Sequence, residues 1–439
     1  MLAQEKVLQS YYISYSMERK MNINRLSDDT LEEIFSRLSV KDICFSKCVS
    51  KKWQIIMSEF SFISRYASKS TGISGLFFQH HEELSDFLRK SIVHIPVEME
   101  CLQVQENVLN FLPERVSVVS SNNGLLCCRS FLNTHISSIP GGVAEGFRWG
   151  KSDPKLYVCN PTSKEFITIN PPEEDFGVSI GLSFDTNDRS FQLVNINCHQ
   201  NSSSSGLFTF SIFSSDTWSW RTISKKVCNW NSTVHRNKQV FVSGRFHWLT
   251  LNHHLITFQI KNEESGIIKL PGPEMNGEGY RGMCLGSSKG FLNYMVVHPS
   301  EIRIWALRSY EKPEWGLAKR INLIEFCGLY LSQFSPQLLP FLQEQLENDE
   351  TEANTSVVPL AFNEDVIFMD IHWSLFSFNL KTSALKKHCC TYMMPCDVFL
   401  SPTVLPYSVN LAALNAFKGM GAGASTSTSI RDRTRQIFF

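Results

Sequence analysis

The sequence contains no apolar run approaching the roughly 18–20 residues of a membrane-spanning helix. Its first 20 residues, MLAQEKVLQSYYISYSMERK, lack the apolar segment of a secretory signal. Neither sign of charge is in excess, since Lys+Arg and Asp+Glu number 42 each in 439 residues. A balanced chain argues against nucleic acid or an anionic membrane as the main partner, because both reward a clustered basic surplus. The 13 Cys include no C-x-x-C pair, so zinc spacing and a dithiol redox motif are both missing. Adjacent cysteines such as Cys127–Cys128 and Cys389–Cys390 rarely form structural bridges. The bland reading is small core residues with reduced thiols, which gives the expectation of a soluble protein of the cytoplasm and/or nucleus.

Catalytic signatures are equally scarce. There is no G-x-S-x-G, no H-E-x-x-H and no phosphate-binding loop. GEGYRG at Gly277 fits G-x-G-x-x-G by letter, but PGPEMN stands where a strand is required and MCLGSSKGFLNYM where a helix is required. It reads as a glycine-rich turn. His80-His81 and His253-His254 have no partners at metal-ligand spacing. No metal, cofactor or catalytic residue is therefore expected. A copper oxidase would need a copper-binding Tyr/His set, and none can be assembled.

What the sequence does have is a globular composition, 43% hydrophobic and 19% charged, with 32 Phe and 12% aromatics leaning toward β structure. The stretch Asn24 to Tyr66 is different in kind. Leu31, Ile34, Phe35 and Leu38 recur at helical spacing; further stripes run through Val40 and Ile43, then through Val49, Trp53 and Ile56. Ser27 is placed to cap the first helix, with Asp28 and Asp29 in its first turn. Three helices in about 45 residues bury little surface on their own and leave apolar side chains in want of a partner.

These residues, in order and spacing, resemble an F-box: Leu26 to Asp29, Ile34-Phe35, Arg37-Leu38, Val40 to Ile43 and Cys48 to Trp53. The resemblance implies docking onto a Skp-type adaptor and, through it, a cullin ubiquitin ligase. Carried over by position, the implied adaptor-binding residues are Leu26, Ser27, Ile34, Leu38, Ser39, Ile43, Val49, Ser50, Lys51 and Trp53. Some of these face the adaptor and others fill the module's own core, with Trp53 expected to be partly core. Ser27 and Ser39 stand where the family usually has Pro, and Ser50 where it often has Cys. Serine caps a helix where proline would pre-set φ, so the helices are expected to survive while adaptor affinity falls.

From about residue 116 the periodicity changes to short strands. A strand–turn–strand unit recurs at Tyr157, Phe210, Ile256, Arg303 and Leu375, at spacings of 53, 46, 47 and 72 residues. A second recurring strand precedes most of them: NGLLCC at Asn123, GRFHWLTL at Gly244, GFLNYMVV at Gly290 and DVIFMDIH at Asp365. Repeats of this length with several strands each are the signature of propeller blades. Segments 70–120 and 396–410 together supply a further blade closed by both ends of the chain, so six or seven blades are expected. A sandwich of similar strands is the alternative architecture.

CNPTSKEF, GLSFD, SSDTWSWR, FVSGRFHWLT, LGSSKGFLNY and IRIWALRSYEKPEW look like the F-box-associated, kelch-like domains of land-plant F-box proteins. The glycine pair of a true kelch repeat occurs once, at Gly141-Gly142. The expected fold is thus multidomain, α plus all-β: a three-helix F-box followed by a kelch-like β-propeller. In numbers, 1–20 is a disordered extension, 21–66 the F-box, 67–120 a linker with the first propeller strands, 121–410 the propeller with an acidic loop at 346–356, and 411–439 a disordered tail. A helix is expected in Pro336 to Glu347, ahead of the acidic loop. The implied function is a non-catalytic receptor that presents a target protein to a ubiquitin ligase. An adaptor-independent interaction module, binding a protein or small ligand without ubiquitin transfer, is the second reading.

Overall fold

The computed structural model describes residues 26–69, 73–79, 92–97, 105–106, 108–130, 155–172, 179–186, 188–200, 206–228, 234–250, 252–272, 282–298, 300–334, 336, 357–371, 374–390, 403–411 and 414. The chain divides into two compact units, Met1–Thr71 and Gly72–Phe439. The extension 1–20, the loops 131–154 and 346–356, nearly all of the tail 411–439, His80-His81 and the helix expected after Pro336 lie outside the described residues.

In the first unit the described residues form four helices where three are expected: α1 (Asp28–Phe35), α2 (Val40–Ser46), α3 (Lys51–Ile56) and α4 (Phe60–Lys69). The added helix, α4, buries Phe62 and Ile63, and the Tyr66 hydroxyl donates to the Leu38 carbonyl at 2.9 Å. Each of the first three helices begins at a serine whose Oγ accepts a backbone N–H of the first turn. The pairs are Ser27 with Thr30 (3.3 Å), Ser39 with Asp42 (3.2 Å) and Ser50 with Trp53 (3.1 Å). These hydroxyls satisfy donors that a helix start otherwise leaves open. Leu31, Phe35, Ile43, Ile56, Met57 and Phe62 make the core, with the Trp53 ring edge-on to Phe35 at 4.9 Å.

In the second unit the regular elements of the described residues are almost wholly strands. One four-stranded antiparallel sheet holds β4 (Val116–Asn122), β5 (Leu125–Ser130), β6 (Leu156–Asn160) and β7 (Glu165–Ile169). The next holds β8 (Ser179–Asp185), β9 (Ser190–Gln200), β10 (Gly206–Ser214) and β11 (Ser219–Cys228). A third holds β12 (Val234–Val242), β13 (Arg245–Thr250), β14 (His254–Gln259) and β15 (Glu264–Lys269). An eight-stranded sheet contains two such meanders. The first is β16 (Gly282–Ser288), β17 (Phe291–Val297), β18 (Glu301–Ser309) and β19 (Glu314–Asn322). The second is β20 (Val357–Asn363), β21 (Val366–Ile371), β22 (Ser374–Asn379) and β23 (Leu385–Cys390), joined to the first by the parallel pairs Gly286↔Phe362 and Ser287↔Asn363. The last sheet unites the two ends of the unit: β24 (Thr403–Tyr407) pairs with β1 (Gly75–Gln79), followed by β2 (Ile92–Pro96) and β3 (Gln105–Glu106).

The recurring sequence units are the hairpins of third and fourth strands, and the preceding motifs are second strands. Two of the turns from first to second strand are Asn123-Gly124 and Lys289-Gly290, with both residues at positive φ (44° and 81°, 52° and 77°). That is the two-residue geometry that matches strand twist, and glycine occupies its second position without steric cost.

Six apolar clusters hold the unit together, and each lies between successive meanders or, once, within the eight-stranded sheet. Val119 and Ile167 meet Ile180 and Phe191; Ile196 and Phe210 meet Phe246 and Trp248; Leu249 and Leu255 meet Leu292 and Tyr294. Met295 and Ile304 meet Ile367 and Phe376; Phe368 and Leu375 meet Leu76 and Val404; Phe77 and Tyr407 meet Leu126 and Tyr157. The sixth returns to the first sheet of the series, so the meanders close on themselves. A helix not expected from the sequence, α5 (Leu323–Phe334), adds Leu323, Phe326, Cys327 and Tyr330 to the core of the eight-stranded sheet. Its Phe326 and Tyr330 stand edge-on to Phe378 and Phe376, both at 5.3 Å.

Candidate functional site

Five large hydrophobic side chains are exposed among the described residues, and four belong to the small helical unit: Ile34 (38%), Phe45 (46%), Val49 (66%) and Ile55 (61%). Isolated apolar residues on a surface are ordinary, but four within so few residues are a concentration of the kind that binding surfaces carry. The short helices explain why they are outside. On α1, Phe35 turns inward and its neighbour Ile34 outward; on α3, Ile56 is buried and Ile55 is not. Consecutive residues sit about 100° apart on a helix, so a thin module cannot bury both.

The ten residues singled out by sequence fall into three groups. Ile34 and Val49 are exposed, and Lys51 is exposed at the start of α3. Leu26, Leu38 and Trp53 are half-buried, while Ile43 is wholly enclosed at 0% exposure. Ser27, Ser39 and Ser50 are the three helix caps. An enclosed Ile43 offers a partner no surface; it holds α2 against the core. Phe45 and Ile55 were missed by the sequence reading because each lies off the apolar stripe. That displacement was itself the available signal.

Ion pairs stiffen the unit. Arg65 of α4 reaches Glu32 of α1 at 3.0 Å, and Lys52 of α3 reaches Asp28 at 2.7 Å. The second pair is largely exposed and contributes little.

In the strand unit, the polar chemistry serves packing. His247 is buried at 0% exposure, with Nδ1 3.2 Å from the Val240 carbonyl and Nε2 2.8 Å from the Tyr310 hydroxyl. A carbonyl only accepts, so Nδ1 carries the proton and Nε2 accepts from Tyr310. Burial, with Arg245 nearby, pushes the imidazole pKa down to about 3. Cys127, Cys128 and Cys159 are buried thiols, with Cys128 and Cys159 sulfurs 4.0 Å apart. Burial raises the Cys127 and Cys128 pKa values far above the ordinary thiol range, the opposite of an activated nucleophile. Trp220 and Trp315 donate their indole N–H to the carbonyls of Asn170 (2.8 Å) and Lys269 (3.0 Å), each at the end of the preceding sheet's outer strand. Among the described residues, no group of three or more His, Cys, Asp or Glu is disposed to hold a metal ion.

Comparison with known proteins fits this division of the chain. A family described as "F-box protein At3g26010-like, beta-propeller" matches residues 77–388, and the F-box domain matches residues 23–65. Among curated relatives, the F-box protein At5g49610 of Arabidopsis thaliana is 27% identical over 333 residues, covering 72% of this chain and 83% of that protein. The F-box protein DOR of the same plant is 23% identical, covering 71% of this chain and 81% of its own. The F-box/kelch-repeat protein At3g23880, also of Arabidopsis thaliana, is 22% identical over 71% of this chain and 84% of its own.

Proposed function

Because the chain belongs to the At3g26010-like family of F-box β-propeller proteins, we propose that it is the substrate-recognition subunit of a Skp–cullin–F-box ubiquitin ligase. The F-box binds the Skp-type adaptor, and the propeller binds a target protein for ubiquitination and degradation. The observation that carries this reading is the exposed apolar set Ile34, Phe45, Val49 and Ile55 on the F-box unit. The chain contributes no chemistry of its own. Its contribution is effective concentration, bringing target lysines within reach of a charged ubiquitin carrier.

We read the six meanders as six blades, a count supported by the six apolar clusters that link them in a ring. The target is assigned to one rim. Short turns such as 123–124, 186–189, 243–244 and 364–365 all lie at the opposite rim. The longest connections, 131–155 and 323–356, both leave from the assigned rim, and long connections are where binding specificity is carried without disturbing a scaffold.

The test is binding of the full chain to a purified plant Skp-type adaptor, with Val49→Asp as control. Val49 is two-thirds exposed, so the variant folds, as circular dichroism will register. Desolvating its carboxylate against an apolar adaptor costs several kcal/mol, so affinity falls about 100-fold or more. No association of the unmodified chain with the adaptor overturns the reading.

A further inference from the structure

The innermost strands β24, β4, β8, β12, β16 and β20 surround a cavity of about 240 Å³ that is partly open to solvent, and every one of them contributes to its lining. No lining side chain is charged. Part of the wall is apolar, made by Leu182, Phe241, Phe246, Leu285, Phe362 and Val404. The rest is amide and hydroxyl.

Those polar groups are only half used. Asn122 Oδ1 accepts from the Phe184 N–H at 2.8 Å, which fixes the amide's orientation and leaves its NH₂ uncommitted. Asn123 is held the other way, donating Nδ2 to the Phe184 carbonyl at 2.8 Å and keeping Oδ1 as an acceptor. Asn363 Oδ1 accepts from Ser287 Oγ at 3.3 Å, again leaving NH₂ groups to donate. By contrast Gln239 spends its whole amide on the ring, bonding Ile180 O, Val119 O and Ser179 Oγ. The cavity therefore offers two amide donors and one amide acceptor beside an apolar wall.

We propose that this axial cavity is a binding site for a small, uncharged, amphipathic molecule that carries a carboxamide or similar paired donor and acceptor on an apolar body. Charge is selected against because an ion there would give up water with no counter-ion to meet it. Size is limited as well, since the cavity is smaller than the ~300–1,000 Å³ of drug-sized sites. The occupant would touch all six inner strands and so would stabilise the closed ring.

Benzamide, benzoate and benzamidinium are near-isosteric neutral, anionic and cationic probes of this prediction. The full chain is titrated with each and followed by calorimetry and by its unfolding midpoint; no adaptor is present, so the result is independent of the ligase reading. Benzamide is expected to bind saturably and at least about tenfold more tightly than either ion. Asn363→Asp keeps the acceptor for Ser287 and adds one charge, and it should transfer the preference to benzamidinium. Asn122→Asp, which keeps the acceptor for Phe184, makes the same test should Asn363→Asp fail to fold. Absence of saturable benzamide binding overturns the proposal, as does binding that ignores probe charge or is unchanged in the folded aspartate variants.

Discussion

At the scale of single residues, the three serines of the F-box do a job that proline does not. Each accepts a hydrogen bond from a first-turn N–H, and losing such a cap costs about 1 kcal/mol. The backbone nonetheless tolerates proline at two of the three. Ser27 and Ser39 sit at φ −64° and −66°, the angle a proline ring imposes, whereas Ser50 sits at −154°. Ser39→Pro exchanges a cap of about 1 kcal/mol for a similar gain from a stiffer unfolded chain, so its midpoint in urea stays close to that of the parent. Ser50→Pro unfolds the module. Adaptor titrations of Ser27→Pro and Ser39→Pro are expected to show tighter binding; weaker binding would mean that the serine hydroxyls themselves touch the adaptor.

His247 gives a second prediction at this scale. Its folded pKa of about 3 lies below the ordinary value near 6.5, so the unfolded chain takes up a proton that the folded chain refuses. Stability from this neutral, buried ring is complete above pH 6.5 and is lost as pH falls toward 3, at about 1.4 kcal/mol per pH unit. His388, pushed down to about 4 chiefly by burial, adds a loss of the same sign. Urea midpoints measured between pH 7 and 4 check this: the acid loss should be shallower in His247→Gln than in the parent.

At the scale of elements, the closing strand matters more than any other. β24 is fully paired with β1 through five residues, Gly75↔Tyr407 to Gln79↔Thr403. The residues just beyond it are bonded to the β4–β7 sheet as well, with Asn160 Nδ2 donating to Asn410 O at 3.1 Å and the Leu414 N–H donating to Glu165 at 2.9 Å. Ending the chain at Cys390 removes these bonds and leaves β1 as an unpaired sheet edge. Such a truncated chain is expected to lose its single cooperative melting transition and to be cut rapidly by protease. Gly124→Ala offers a milder version: the new Cβ would stand 2.1 Å from Asn410 Cβ at a φ of 81°.

At the scale of the molecule, separate units imply separable functions. Val49→Asp should detach the adaptor while leaving the propeller, and hence target binding, intact. In cells, removing the protein should lengthen the half-life of its target, and Val49→Asp should do so while still co-purifying with that target. A target whose half-life is unchanged by removal would favour an interaction module without ubiquitin transfer.

The division between helical and strand units was legible in the sequence because it rests on periodicity, 3.6 residues against 2, and the repeat was legible because each hairpin carries the same turn chemistry. The serine caps were legible too, since a cap is a local contact three residues long. The pairing of segments 70–120 and 396–410 could be expected from leftover strands alone. What only the tertiary structure decided is which apolar residues stay outside. Ile34 and Phe35, or Ile55 and Ile56, are equivalent in composition; their fates differ because, among the described residues, one side of each short helix faces the unit's core and the other does not. The helix α5 escaped the sequence because Leu323–Phe334 is apolar nearly all round, a pattern that suits a buried strand as well as a helix laid on a sheet. The axial cavity escaped it as well: its lining comes from six strands that are far apart in the chain, and only ring closure brings their amides together.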